Sequence, residues 1–193
     1  MSIRAFIIAL ASVGALSALP ATAQDAASED AALKALDDAL PGTLLHNPLV
    51  MSWEPGGNNL TTKVVDAPDL ITGRAMSARL KKKQPKPWDS YFRAEVEGEI
   101  KKGDTVQVIY FARTAKAPKG SDAADVSLFL GRNVEPYDYI IAEEFSPSDT
   151  WELKSMTGTA TADFPAESVK IEYQLGRAAQ TVEFGPAYVS KLD

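Results

Sequence analysis

The sequence predicts an all-β chain folded as a two-sheet antiparallel β-sandwich, and three observations carry that expectation. From Gly42 onward, short runs rich in β-branched and aromatic residues recur at close intervals. Turn-forming clusters such as Gln84-Pro85-Lys86-Pro87 and Lys101-Lys102-Gly103-Asp104 stand between them. Two of the runs alternate apolar and polar residues with period two, the side-chain period of a β-strand.

Taken in chain order, the expected strands cover residues 61–65, 75–80, 91–96, 105–113, 126–130, 139–144, 152–158, 169–175 and 181–184, with a last one near 188–192. Further turn chemistry lies at 117–122, 146–149 and 164–166. In the 105–113 run, alternation sends Val106, Val108, Tyr110 and Ala112 to the core, and Gln107, Ile109, Phe111 and Arg113 to the other face. That second set mixes apolar and polar groups, as suits a half-exposed concave surface. The 169–175 run divides the same way, with Val169, Ile171, Tyr173 and Leu175 inward and Lys170, Glu172 and Gln174 outward. The two outward sets are expected to contribute to one face.

Ahead of the strands lie two different segments. Residues 1–23 hold a basic start at Arg4, an apolar run to Leu19, then Pro20 and Ala21-Thr22-Ala23, the arrangement of a secretory signal peptide cleaved after Ala23. Residues 24–44 are rich in Ala and acidic residues, with Leu33, Leu36 and Leu40 at helical spacing before Pro41-Gly42, and read as a short helix or an acidic leader. Residues 45–193 form the expected sandwich domain, so the mature chain is placed in the periplasm or outside the cell.

Composition narrows the function. The net charge is −6, and loss of Arg4 with the leader makes it one unit more negative, which argues against nucleic acid as a partner. There is no cysteine, so neither disulfides nor a lipid-anchored N-terminus is expected. Past residue 23 no apolar stretch reaches the length of a membrane span. The single histidine, His46, lies in Leu44-Leu45-His46-Asn47-Pro48 outside any catalytic motif, and no G-x-S-x-G, H-E-x-x-H or P-loop pattern occurs. The one arrangement suited to acid/base work is Glu95-Val96-Glu97-Gly98-Glu99, where alternation puts three carboxylates on one strand face. Beside Lys101 and Lys102 it reads equally as a solvated strand end. Tyr137 and Tyr139, flanking Asp138, read as a loop platform, while Trp53 and Trp151 are expected to pack at the ends of the sandwich.

Several segments in order resemble one known group. They are Gly73-Arg74-Ala75, Pro87-Trp88-Asp89, Lys102-Gly103-Asp104 with the strand ending Tyr110-Phe111-Ala112-Arg113, Thr150-Trp151-Glu152, and Tyr173-Gln174-Leu175-Gly176 with Gln180-Thr181-Val182-Glu183. Together they resemble the carbohydrate-binding modules of the family 4, 9, 16 and 22 type, jelly-roll sandwiches of galactose-binding-like topology. The resemblance implies non-catalytic binding of a polysaccharide or oligosaccharide through Trp88, Tyr91, Gln107, Phe111, Arg113 and Gln174. An apolar sugar face packs on aromatic rings while polar side chains bond the hydroxyls. It implies no organic cofactor, and brings in a structural calcium ion for which Asp122, Asp125 and Asp193 supply oxygens. Two other readings stay open: a small jelly-roll glycoside hydrolase using Glu95 and Glu97, and a structural envelope or adhesion protein.

Overall fold

The computed structural model describes residues 34, 38–48, 53–132 and 134–192. Residues 1–23, read as a signal peptide, lie outside the described residues. Of residues 24–44, read as a short helix or acidic leader, Lys34 and residues 38–44 are described, and the helical positions among them, Lys34, Asp38 and Ala39, do not make up a described helix.

Among the described residues eleven strands follow one another: β1 (Thr43–Leu44), β2 (Glu54–Gly57), β3 (Leu60–Asp66), β4 (Arg74–Leu80), β5 (Ser90–Val96), β6 (Thr105–Lys116), β7 (Val126–Arg132), β8 (Tyr139–Phe145), β9 (Glu152–Thr159), β10 (Val169–Gln174) and β11 (Gln180–Leu192). A 3-10 turn, Pro87–Asp89, precedes β5. The strands form two antiparallel sheets packed as a jelly roll. One has the order β3-β4-β11-β6-β9, with β1 also paired to β11; the other has the order β2-β5-β10-β7-β8. The strands expected near 181–184 and 188–192 are one continuous strand, β11, whose pairing with β6 shifts register between Phe184 and Ala187. That interruption, at Gly185-Pro186, is what divided the pattern in two.

The alternation reading places the core correctly. Val106, Val108, Tyr110 and Ala112 of β6 are fully buried, as are Val169, Ile171 and Tyr173 of β10. The two sheets meet through an aromatic cluster centred on Tyr173, whose ring lies 4.3 Å from Phe184, 5.7 Å from Tyr110 and 5.6 Å from Trp53 (centroid distances). Trp53 in turn stacks on Phe92 at 4.5 Å. Each such ring removes a large apolar area from water, the dominant favourable term in folding.

The shared-face expectation fails for a topological reason. β6 pairs with β11 and β9, whereas β10 pairs with β5 and β7. The two strands belong to opposite sheets, so their outward side chains point away from each other.

Candidate functional site

The register of the second sheet arranges its outward side chains in rows. Tyr91 of β5 sits opposite Gln174 of β10, which sits opposite Ser127 of β7; one pleat along come Arg93, Glu172 and Phe129, then Glu95, Lys170 and Gly131. Over this face runs a groove of about 580 Å³, lined by Trp88, Tyr91, Arg93, Phe129, Gly131, Arg132, Tyr137, Tyr139, Lys170, Glu172 and Gln174. Trp88, Tyr137 and Tyr139 are exposed at its rim.

Local structure holds each wall. The turn bearing Trp88 is pinned to the end of β10: the Gln84 amide donates to the Gly176 carbonyl, and the Gly176 amide donates to the Pro87 carbonyl, at 2.8 and 2.9 Å. A side chain at position 176 would collide with the Lys86 and Pro87 carbonyls, at 2.4 and 2.5 Å, so only glycine permits this approach. Lys86 Nζ covers the Trp88 ring at 5.4 Å. On the next strand the Arg93 guanidinium lies 4.7 Å from the Tyr91 ring centre, a cation–π contact that holds both side chains. At the far wall Phe129 and Tyr139 lie 5.2 Å apart.

The floor is polar. Gln174 Nε2 donates to Glu172 Oε1 at 2.8 Å. Burial pushes the Glu172 carboxyl above its ordinary pKa against the opposing pull of that hydrogen bond and of Arg93 and Lys170. Arg93 Nε donates to Glu54 Oε2 at 3.3 Å, and Lys170 Nζ stands 4.0 Å from the same oxygen. Aromatic rings on the walls with donors and acceptors between them can hold a flat, partly apolar, hydroxyl-bearing ligand.

Of the six residues the sequence nominated, the structure brings Trp88, Tyr91 and Gln174 together in this groove. It places Gln107, Phe111 and Arg113 on the outer face of the opposite sheet. There Gln107 Nε2 donates to Ser155 Oγ at 2.9 Å. Phe111 packs with Trp151 against a small cluster of Ala67 and Leu70, from the segment joining β3 to β4, and Ala75 of β4. Arg113 bonds Glu183 and lies 4.7 Å from the Trp151 ring centre. Arg93, Phe129, Arg132, Lys170 and Glu172 complete the groove and were not nominated. Alternation had already set Lys170 and Glu172 outward, and the same rule puts Arg93 beside Tyr91; the missing information was which strands are neighbours.

The carboxylate row also differs from expectation. β5 ends at Val96, so strand alternation does not carry through Glu97 and Glu99. The Glu97 amide donates to the Leu45 carbonyl at 2.9 Å, and Glu99 pairs with Lys101. His46 is half-buried, and its Nε2 lies 2.8 Å from the Ala187 carbonyl oxygen. Among the described residues no cluster of three or more His, Asp or Glu side chains could hold a metal ion. Asp125 is 3.6 Å from Arg177, and Asp193 lies outside the described residues. No helix among them is long and apolar enough to cross a membrane.

No family model and no curated protein matches the chain. Solved structures do. The N-terminal cellulose-binding domain of β-1,4-glucanase C from Cellulomonas fimi superposes with a TM-score of 0.53 at 19% identity, over 73% of this chain and 89% of that one. The second N-terminal cellulose-binding domain of the same enzyme gives 0.56 at 16%, over 80% and 94%. The CBM22-1 xylan-binding domain of Paenibacillus barcinonensis Xyn10C gives 0.55 at 13%, over 79% and 97%. At these identities the likeness is one of fold.

Proposed function

We propose that this chain binds a glycan in the groove of the five-stranded sheet and performs no chemistry on it. The observation that carries the reading is the convergence of Trp88, Tyr91, Phe129, Tyr137 and Tyr139 with Arg93, Glu172 and Gln174 around one open groove. Sugar rings present an apolar C–H face to aromatic side chains and hydroxyls to polar ones, and this lining offers both. The fold likeness to domains described as cellulose-binding and xylan-binding supports the reading. With it go export of the chain through residues 1–23 and a binding domain at residues 45–193.

A glycan array followed by an assay for released reducing sugar tests the proposal. Binding without release supports it. Release of sugar, or an array without any bound glycan, overturns it. Trp88→Ala and Tyr137→Ala each remove a ring that is more than half exposed, at 53% and 58%. Each is expected to weaken binding by about 1–2 kcal/mol while leaving the melting temperature unchanged, because no core cavity opens.

A further inference from the structure

The groove's charges narrow the ligand further. We propose, resting on the glycan reading above, that the groove selects sugars bearing carboxylate groups, read by Lys170 and Arg93.

The first ground is composition. The chain as a whole carries a net charge of −6, yet the lining of the groove holds the cations Arg93, Arg132 and Lys170 against the carboxylate Glu172, with Glu54, Glu95 and Asp138 beside it. Concentrating positive charge in one concavity of an acidic protein makes a local attractor for anions.

The second ground is pairing. Arg132 Nη1 lies 3.6 Å from Asp138, so that charge has its counter-ion. Arg93 and Lys170 instead share one oxygen of Glu54, at 3.3 and 4.0 Å, and that carboxylate is 64% exposed on the edge strand β2. At 4.0 Å the Lys170 contact is too long for a hydrogen bond, so among the described residues its ammonium keeps its donors for a ligand. Glu172 lies in the field of both cations but forms no ion pair with them among the described residues, and its Oε1 accepts from Gln174.

The third ground is the balance of donors and acceptors. Arginine and lysine only donate, and the Gln174 amide group already donates to Glu172. Neutral hydroxyls can use the acceptors of Glu172 and Gln174 as well, but a carboxylate offers acceptors alone, matches the donor-only Arg93 and Lys170 and forms the stronger, charge-assisted bonds. Lys170 and Arg93 flank Glu172 on adjacent strands, with Lys170 across from Glu95 and Arg93 across from Glu172. They thus lie beside the aromatic walls on which the sugar ring would stack.

Calorimetric titration with oligogalacturonate, with the same oligomer fully methyl-esterified, and with a neutral cello-oligosaccharide tests the idea, because esterification removes the charge and keeps the sugar. The acid is expected to bind at least about tenfold tighter than its ester, with the difference shrinking between about 20 and 200 mM salt. Lys170→Gln should remove most of that preference. Glu54→Gln, a change at an exposed position, should strengthen binding of the acid. Equal binding of acid and ester, tighter binding of the cello-oligosaccharide, or an acid preference that survives both Lys170→Gln and Arg93→Gln overturns the carboxylate reading and leaves the groove a glycan site. Failure of every sugar to bind overturns both.

Discussion

Arg113 and Glu183 face each other across the β6–β11 ladder, with Nε and Nη2 of the arginine both 2.7 Å from Glu183 Oε2. Glu183 is nearly buried, at 11% side-chain exposure, so the pair is a fixed part of the outer sheet. Removing the arginine strands a desolvated carboxylate. Arg113→Ala is therefore expected to destabilise the fold by about 1–3 kcal/mol in chemical denaturation, while titration shows glycan affinity unchanged.

Gly56 of β2 lies under the ring of Tyr91; a Cβ there would stand 2.1 Å from Tyr91 Cζ. Gly56→Ala should push that ring off the groove wall and weaken sugar binding as much as Tyr91→Ala does. In a double-mutant cycle the two changes should be strongly non-additive, since the second has nothing left to remove. Additive losses would show that Gly56 acts elsewhere.

The hydroxyl of Tyr173 is buried and has no hydrogen-bond partner among the described residues. Desolvation without a partner costs free energy and also drives its pKa upward. Tyr173→Phe keeps the ring stack and deletes the cost, so thermal unfolding should move up by about 2–4 °C for a gain near 1 kcal/mol.

His46 gives a pH dependence. Burial lowers its pKa below the ordinary value of 6.5, outweighing the Ala187 hydrogen bond and the field of Glu97, which both raise it. Its Nδ1 is buried with no hydrogen-bond partner among the described residues, so a second ring proton finds no acceptor there. The unfolded chain takes up that proton near pH 6.5 and the folded chain resists it. The contribution to stability is then complete above the unfolded pKa and is lost as pH falls through that value towards the lower, folded one. Denaturation midpoints measured from pH 7.5 down to 5 should show this decline in the parent and a flatter profile in His46→Gln.

The alternation of β6 and β10 was legible because a two-residue period records burial directly, and Val106, Val108, Tyr110, Ile171 and Tyr173 are buried as read. Phe111 and Arg113 show where that rule stops. Alternation says that they leave the core, but not which sheet they leave it from, and pairing partners are separated by long stretches of chain. Nor could it show that the segment holding Ala67 and Leu70 folds over Phe111, since this contact is not periodic. The short β1 and β2 were missed for a related reason: Glu54-Pro55-Gly56-Gly57 has turn chemistry and becomes a strand only by pairing with β5. Trp88, Tyr91 and Gln174 could be nominated because their chemistry is visible residue by residue.

The order of the strands along the chain differs between the sheets. β2, β5, β7, β8 and β10 all precede β11, so the groove-bearing sheet can assemble while its counterpart still lacks the strand between β4 and β6. Until Gln180–Leu192 arrives, those two strands present open hydrogen-bonding edges on facing sides. Open edges of this kind recruit other chains. An interval in which β4 and β6 stand without the thirteen residues of β11 is therefore one in which this protein is open to association with other chains.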